Sequence, residues 1–296
     1  MLWSVSLNGQ PTPTAQAHVR VPWWSFTKTV LAAAALTLVR DGVVRLDDPV
    51  EEGPFTLRQL LKHQAGLADY SELQDYHAAV AEHRQPWPAA EMLQRLDGTR
   101  LRYSPGTAWR YSNVGYMQVA ALVERCTGQR LEQALSQRVF LPLGLTRVRL
   151  ARTRQDLADV HPPSMAAYHP GWVYHGLLTG PLCEAARLLD QLLAGQLLPP
   201  ALLDEMQHAI VLGGPIPDRP WATPGYGLGL MIGTTKDGHR LVGHTGGGPG
   251  GVIAVYQLRT DQCVATCSVF GEGREEGAVE SEALARLLAI VGNRAV

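Results

Sequence analysis

The chain has 296 residues, 46% of them hydrophobic, and a formal net charge of −1. That length suits one large domain or two interleaved ones with a sizeable core, and the balanced charge argues against nucleic acid or an anionic membrane as partner. The longest mainly apolar run, 30–39, is about half of a membrane span. The opening Met-Leu-Trp-Ser-Val-Ser lacks a basic start and apolar core, so a cytoplasmic location is expected, or a periplasmic or secreted one if the chain is a trimmed form.

Alternating apolar and polar residues predict strands over 2–8 and 15–22, joined as a hairpin at Asn8-Gly9. An apolar, Ala-rich stretch predicts a buried helix from Ser25 to Arg40, stopped at Asp41-Gly42. Helices are predicted over 56–65, 89–96, 113–126, 130–139, 181–194 and 200–209, with Asn113 as an N-cap and Gly128 and Gly195 as stops. After Gly225 the period changes to two. Strands are predicted over 226–232, 240–243, 252–258 and 263–269, followed by a helix over 276–291. Pairing the terminal strands in one antiparallel sheet gives an α+β fold with an inserted helical domain. The expected division is 1–48 with 200–296 as an α/β domain, and 49–199 as a mostly helical one.

Cys126, Cys183, Cys263 and Cys267 are too few and too scattered for a disulfide framework, and reduced, mostly buried thiols are expected. The ten histidines form no HExxH and no tight cluster, so no metal site is expected. His161, His169 and His175 fall in a Pro/Gly-containing loop and read as structural or solvated, and His63 reads as part of a helix-stop segment.

Ser25-Phe-Thr-Lys28 places a hydroxyl and an amine on one helical face. The chain has only two other lysines, Lys62 and Lys236. A serine needs a neighbouring base to become a nucleophile, and an amine with a lowered pKa is one solution. Tyr111-Ser-Asn113 follows a turn and opens a helix, and His244-Thr245-Gly246-Gly247 ends a strand. Each pattern occurs once, in this order, and together they carry far more information than any one alone.

This ordered set resembles the penicillin-recognising serine hydrolases, in particular the branch of class C β-lactamases, D-Ala-D-Ala carboxypeptidases and related esterases. Asp41-Gly42 through Pro49-Val50, Leu60 through Leu67, Leu141-Pro-Leu-Gly-Leu145 and Tyr226-Gly-Leu-Gly229 also look like landmarks of that family. The resemblance implies a β-lactamase/transpeptidase-like fold with its site in the crevice between the two domains. It implies Ser25 as nucleophile, Lys28 and Tyr111 as proton-handling groups, and Asn113, His244, Thr245, Gly246 and Gly247 as substrate and oxyanion contacts. His244 is expected to orient Tyr111 or to meet a substrate carboxylate. Trp24, with Trp23, stands where the family carries small residues, and is expected to fill the core or narrow the acyl pocket. The implied substrate is a β-lactam, a short D-amino-acid peptide or a small ester, with no cofactor and the oligomeric state left open. A penicillin-binding sensor that acylates without turnover, and a pure carboxylesterase, are the alternatives.

Overall fold

The structure, a computed structural model, describes residues 1–273 and 275–292. β1 (Leu2–Leu7) turns at Asn8-Gly9 and pairs with β2 (Gln10–Pro11). The predicted strand 15–22 is therefore not its partner. Pro11 and Pro13 lack an N–H to extend a ladder, so Ala15–His18 closes into a 3-10 turn and only β3 (Arg20–Pro22) is extended. A 3-10 turn over Trp24–Phe26 leads into α1 (Thr27–Arg40), buried without a break from Thr27 to Leu38. The hairpin β4 (Pro49–Val50) and β5 (Gly53–Thr56) precedes α2 (Leu57–Leu61), which Thr56 and Gln59 cap reciprocally.

The middle of the chain holds α3 (Gln74–Ala81), α4 (Ala89–Arg95), α5 (Asn113–Thr127) and α6 (Leu131–Leu135). Gly128 ends α5 in the left-handed conformation, as its place in the sequence predicts. The helix predicted over 130–139 is split, since α6 passes into a wider π-type turn over Ser136–Phe140. The region is not purely helical. β6 (Arg149–Ala151) and β7 (Leu177–Pro181) join β3 in a three-stranded sheet that the sequence pattern did not reveal. α7 (Leu182–Leu193) and α8 (Pro200–Gln207) complete it, and α7 packs on β1 and on two C-terminal strands, Gly251–Arg259 and Val264–Gly271.

The C-terminal third forms β8 (Ile210–Val211), β9 (Trp221–Tyr226), β10 (Met231–Thr235), β11 (Arg240–Gly248), β12 (Gly251–Arg259), β13 (Val264–Gly271) and α9 (Glu276–Gly292). These strands and β1–β2 make one antiparallel sheet in the order β2-β1-β13-β12-β11-β10-β9-β8. The chain ends meet in it as predicted, with Ser4 opposite Ser268. Alternate residues of β12 go to opposite faces. Ile253 and Val255 join the core shared with α1 and α7, while Ala254 and Tyr256 join the cluster under α9.

Two strand predictions need correction. The strand predicted over 226–232 is two, β9 and β10, because Gly229 adopts a φ of +75° and a Cβ there would lie 2.4 Å from Ala32 Cβ. The strand predicted to end at Gly243 continues to Gly248 along β12. The four cysteines are unpaired thiols, but Cys126 and Cys183 are only half-buried. Among the described residues, no helix is long and apolar enough to cross a membrane.

Candidate active site

Ser25 sits on the Trp24–Phe26 turn, half-buried, at the wall of a cavity of about 720 Å³. Trp24, just before it, has a φ of +41°. For a bulky side chain that is a strained conformation, held here by packing. The Trp24 ring meets Tyr168 edge-on at 5.3 Å and lies beneath Gly248. Trp24 thus lines the cavity, whereas Trp23 is wholly buried and donates from Nε1 to Gly180 O.

One turn on, Lys28 is fully enclosed. Its Nζ lies 3.2 Å from Ser25 Oγ, 2.6 Å from Asn113 Oδ1 and 3.2 Å from His175 Nε2. It also stands 4.9 Å from the centre of the Tyr111 ring. Burial removes hydration from the ammonium and brings its pKa down to about 7, with the Asp69 carboxylate pulling the other way. The amine is therefore about half neutral at pH 7.

Asn113 is not the N-cap of α5. Ser112 is: its Oγ accepts from Gly115 N at 3.0 Å and donates to Ala68 O. Capping by Ser112 leaves the Asn113 side chain free. Its Nδ2 donates to both Asp69 oxygens, at 3.0 and 3.2 Å, which turns Oδ1 onto Lys28. Asp69 is itself fixed by Ser71 N.

The Tyr111 ring stacks on His63 at 4.2 Å. Burial pushes its phenol well above the ordinary value, Tyr226 adds to this, and hydrogen bonding to Ser25 opposes it. Tyr111 is thus protonated at neutral pH. His63 agrees with its structural reading: Nδ1 accepts from Ser112 N, and burial, then Lys28, keeps the ring neutral.

The strand motif divides by face. Gly246 lies against the Trp24–Phe26 turn, since a Cβ there would be 2.4 Å from Ser25 N. Gly247 and Gly248 line the cavity. His244 and Thr245 are not among its lining residues. His244 Nδ1 donates to Thr245 O at 2.6 Å, so Nε2 accepts from Tyr226 OH at 2.9 Å. Both ring nitrogens are spent internally, neither on Tyr111, and burial, followed by Lys28, takes the pKa down to about 3. Thr245, on the opposite face of the pleat, is buried with its hydroxyl on Glu280 and Tyr256.

Three residues at the site escaped the sequence reading. Asp69 lies two residues past the recognised Leu60–Leu67 stretch, which is a positional signal. His175, read as a loop histidine, is buried against Lys28 with its Nδ1 unpartnered, and no local pattern announces it. Glu276 opens α9 and lines the cavity beside Gly247.

The Beta-lactamase family model matches residues 3–276. The chain belongs to that family. This member of the Beta-lactamase family is similar to enzymes of several names. It is 29% identical over 256 residues to lovastatin esterase of Penicillium rubens, covering 70% of this chain and 61% of that one. It is 30% identical over 242 residues to D-aminopeptidase of Brucella anthropi, covering 77% and 45%. Its fold matches a D-stereospecific amidohydrolase from Streptomyces sp. with a TM-score of 0.78 at 25% identity, covering 95% and 93%. The chain spans less than two thirds of the length of these two curated relatives.

Proposed function

We propose that this member of the Beta-lactamase family is a serine acyl hydrolase working through an acyl-enzyme on Ser25. The observation that carries the reading is Lys28: a fully buried amine with a pKa of about 7, held 3.2 Å from Ser25 Oγ by Asn113 and His175. Neutral Lys28 takes the Ser25 proton as Oγ attacks the acyl carbon. The ammonium that forms finds acceptors in Asn113 Oδ1 and His175 Nε2. The N–H groups of Ser25 and Gly247 hold the oxyanion, and the protonated Tyr111 phenol relays a proton to the leaving group. Water then enters by the same route in reverse and frees the acid. Asn113, whose Oδ1 holds Lys28 and whose Nδ2 holds Asp69, also lines the cavity where the substrate would lie.

The substrates proposed are small molecules or short peptides: β-lactams, D-amino-acid peptides or amides, and small esters. The esterase and aminopeptidase relatives support the ester and amide members of that set. We further propose the two-part division, residues 1–48 with 200–296 around the large sheet and 49–199 as the mainly helical part. Arg274 and 293–296 lie outside the described residues. The test is a panel of p-nitrophenyl esters, a chromogenic cephalosporin and D-Ala-D-Ala peptides on wild type and Ser25→Ala. Hydrolysis of at least one substrate should vanish with Ser25→Ala, and full retention of it would sink the proposal.

A further inference from the structure

Glu276 is the carboxyl side chain lining the cavity that the acyl-transfer scheme leaves unused; burial raises its pKa and the Arg219 guanidinium opposes that. Its Oε2 accepts from Arg219 Nη1 at 2.6 Å, and the rest of that guanidinium is committed to Glu280. Glu280 is fully enclosed and takes further bonds from Trp221 Nε1 and the Thr245 hydroxyl. Two carboxylates thus share one guanidinium. The surplus negative charge falls on Glu276, whose side chain is 41% exposed while that of Glu280 is 1% exposed.

That carboxylate belongs to the same cavity lining as Ser25. Its Oε1 lies 3.6 Å from the Cβ position of Gly247, on the face of β11 opposite the one that Gly246 turns to Ser25 N. Its charge is felt by the Tyr111 phenol. Among the described residues lining the cavity there is no Lys or Arg, and Lys28 stands behind Ser25 rather than in the wall. His244, on this strand, is neutral and turned inward. A substrate carboxylate placed here would meet the net negative charge of two carboxylates on the single Arg219, whereas an ammonium would gain a charge-assisted hydrogen bond. The facing wall is apolar and aromatic, with Trp24, Tyr76, Tyr168, Met165 and Val173, which suits an uncharged side chain.

We infer that the acyl donor is an amino-acid amide or ester with a free amine, its ammonium bound at Glu276 and its side chain on the aromatic wall. This rests on the acyl-enzyme reading of Ser25. In the first step the bond from Ser25 Oγ to the acyl carbon forms and the C–N or C–O bond to the leaving group breaks. The leaving group departs with the proton that Ser25 gave up. In the second step water adds its oxygen to the acyl carbon, the Oγ–C bond breaks, Ser25 regains a proton and the amino acid leaves.

The experiment compares phenylalanine p-nitroanilide with its N-acetyl and N-succinyl forms, on whichever antipode turns over faster. The free amine should exceed the N-acetyl form in kcat/KM by about 10-fold or more, and the N-succinyl form should be the poorest. Glu276→Gln should collapse the amine-to-acetyl ratio towards one, and Glu276→Arg should favour the N-succinyl form. Glu282→Gln, on the same helix and paired with Arg286, should keep the wild-type ratio. Thermal melts of each variant show whether it is folded. An N-acetyl form hydrolysed as well as the free amine, or a ratio untouched in folded Glu276→Gln, would overturn the inference. If p-nitrophenyl acetate is hydrolysed in a Ser25-dependent way while the amine gains nothing, only this inference fails. If no substrate shows Ser25 dependence, the acyl-enzyme reading fails with it.

Discussion

Replacing Asp69 by Asn keeps the shape of the side chain and removes its charge, which isolates one influence on Lys28. The Asp69 carboxylate and the Lys28 amine lie across a single amide: Asn113 Oδ1 is 2.6 Å from Nζ, and Asn113 Nδ2 is 3.0 Å from Asp69 Oδ1. The two charges are then at most about 8 Å apart, and at an effective dielectric near 20 their attraction is about 2 kcal/mol. That corresponds to ~1.5 pH units. Asp69 raises the Lys28 pKa, so without it the amine loses its proton at lower pH and the free base persists further into acid. The acid limb of kcat/KM, which reports the free enzyme, should therefore move down by about 1.5 pH units. An activated ester followed from about pH 5 to 9 measures it. An acid limb that stays in place, or moves up, would refute the assignment of that limb to Lys28.

Other substitutions probe different links. Lys28→Met removes a buried amine whose folded pKa of about 7 lies below the unfolded value of 10.5. Because the unfolded chain binds more protons across that window, wild-type stability should rise with pH from about 7 to 10, and the variant's denaturation midpoint should be flatter there. His175→Phe deletes one of the polar contacts of Nζ and should lower kcat by roughly 10-fold or more with KM little changed, seen in steady-state kinetics. Gly246→Ala puts a methyl 2.4 Å from Ser25 N and should abolish activity and cost about 1–3 kcal/mol in chemical denaturation. Thr245→Val breaks a buried hydroxyl's bonds to Glu280 and Tyr256, so it should cost about 1–3 kcal/mol of stability while leaving KM almost unchanged.

Ser25, Lys28, Tyr111 and Asn113, which lie together in the structure, stand out in the sequence because each sits in a short pattern tied to a local structural event: a turn into α1, a cap at α5. The joining of the chain ends in one sheet was also legible, from the switch of period after Gly225. What stayed hidden depends on side chains far apart in sequence. His175 touches Lys28 across 147 positions, and Asp69 acts through Asn113 across 44. The β3-β7-β6 sheet is built from three- and five-residue strands, too short to show a period. That His244 and Thr245 point to opposite faces follows from the pleat alone, but their partners Tyr226 and Glu280 do not show in the local pattern. The failure of 15–22 as a hairpin partner follows from Pro11 and Pro13, which end the ladder early.

The most direct measurement is intact-mass spectrometry with peptide mapping after brief exposure to a fluorophosphonate probe at neutral pH. A single adduct on Ser25 is expected in wild type, with none in Ser25→Ala and markedly slower labelling in Lys28→Met. Labelling of another residue, or undiminished turnover with Ser25 unmodified, would contradict the claim that Ser25, activated by Lys28, carries the acyl group.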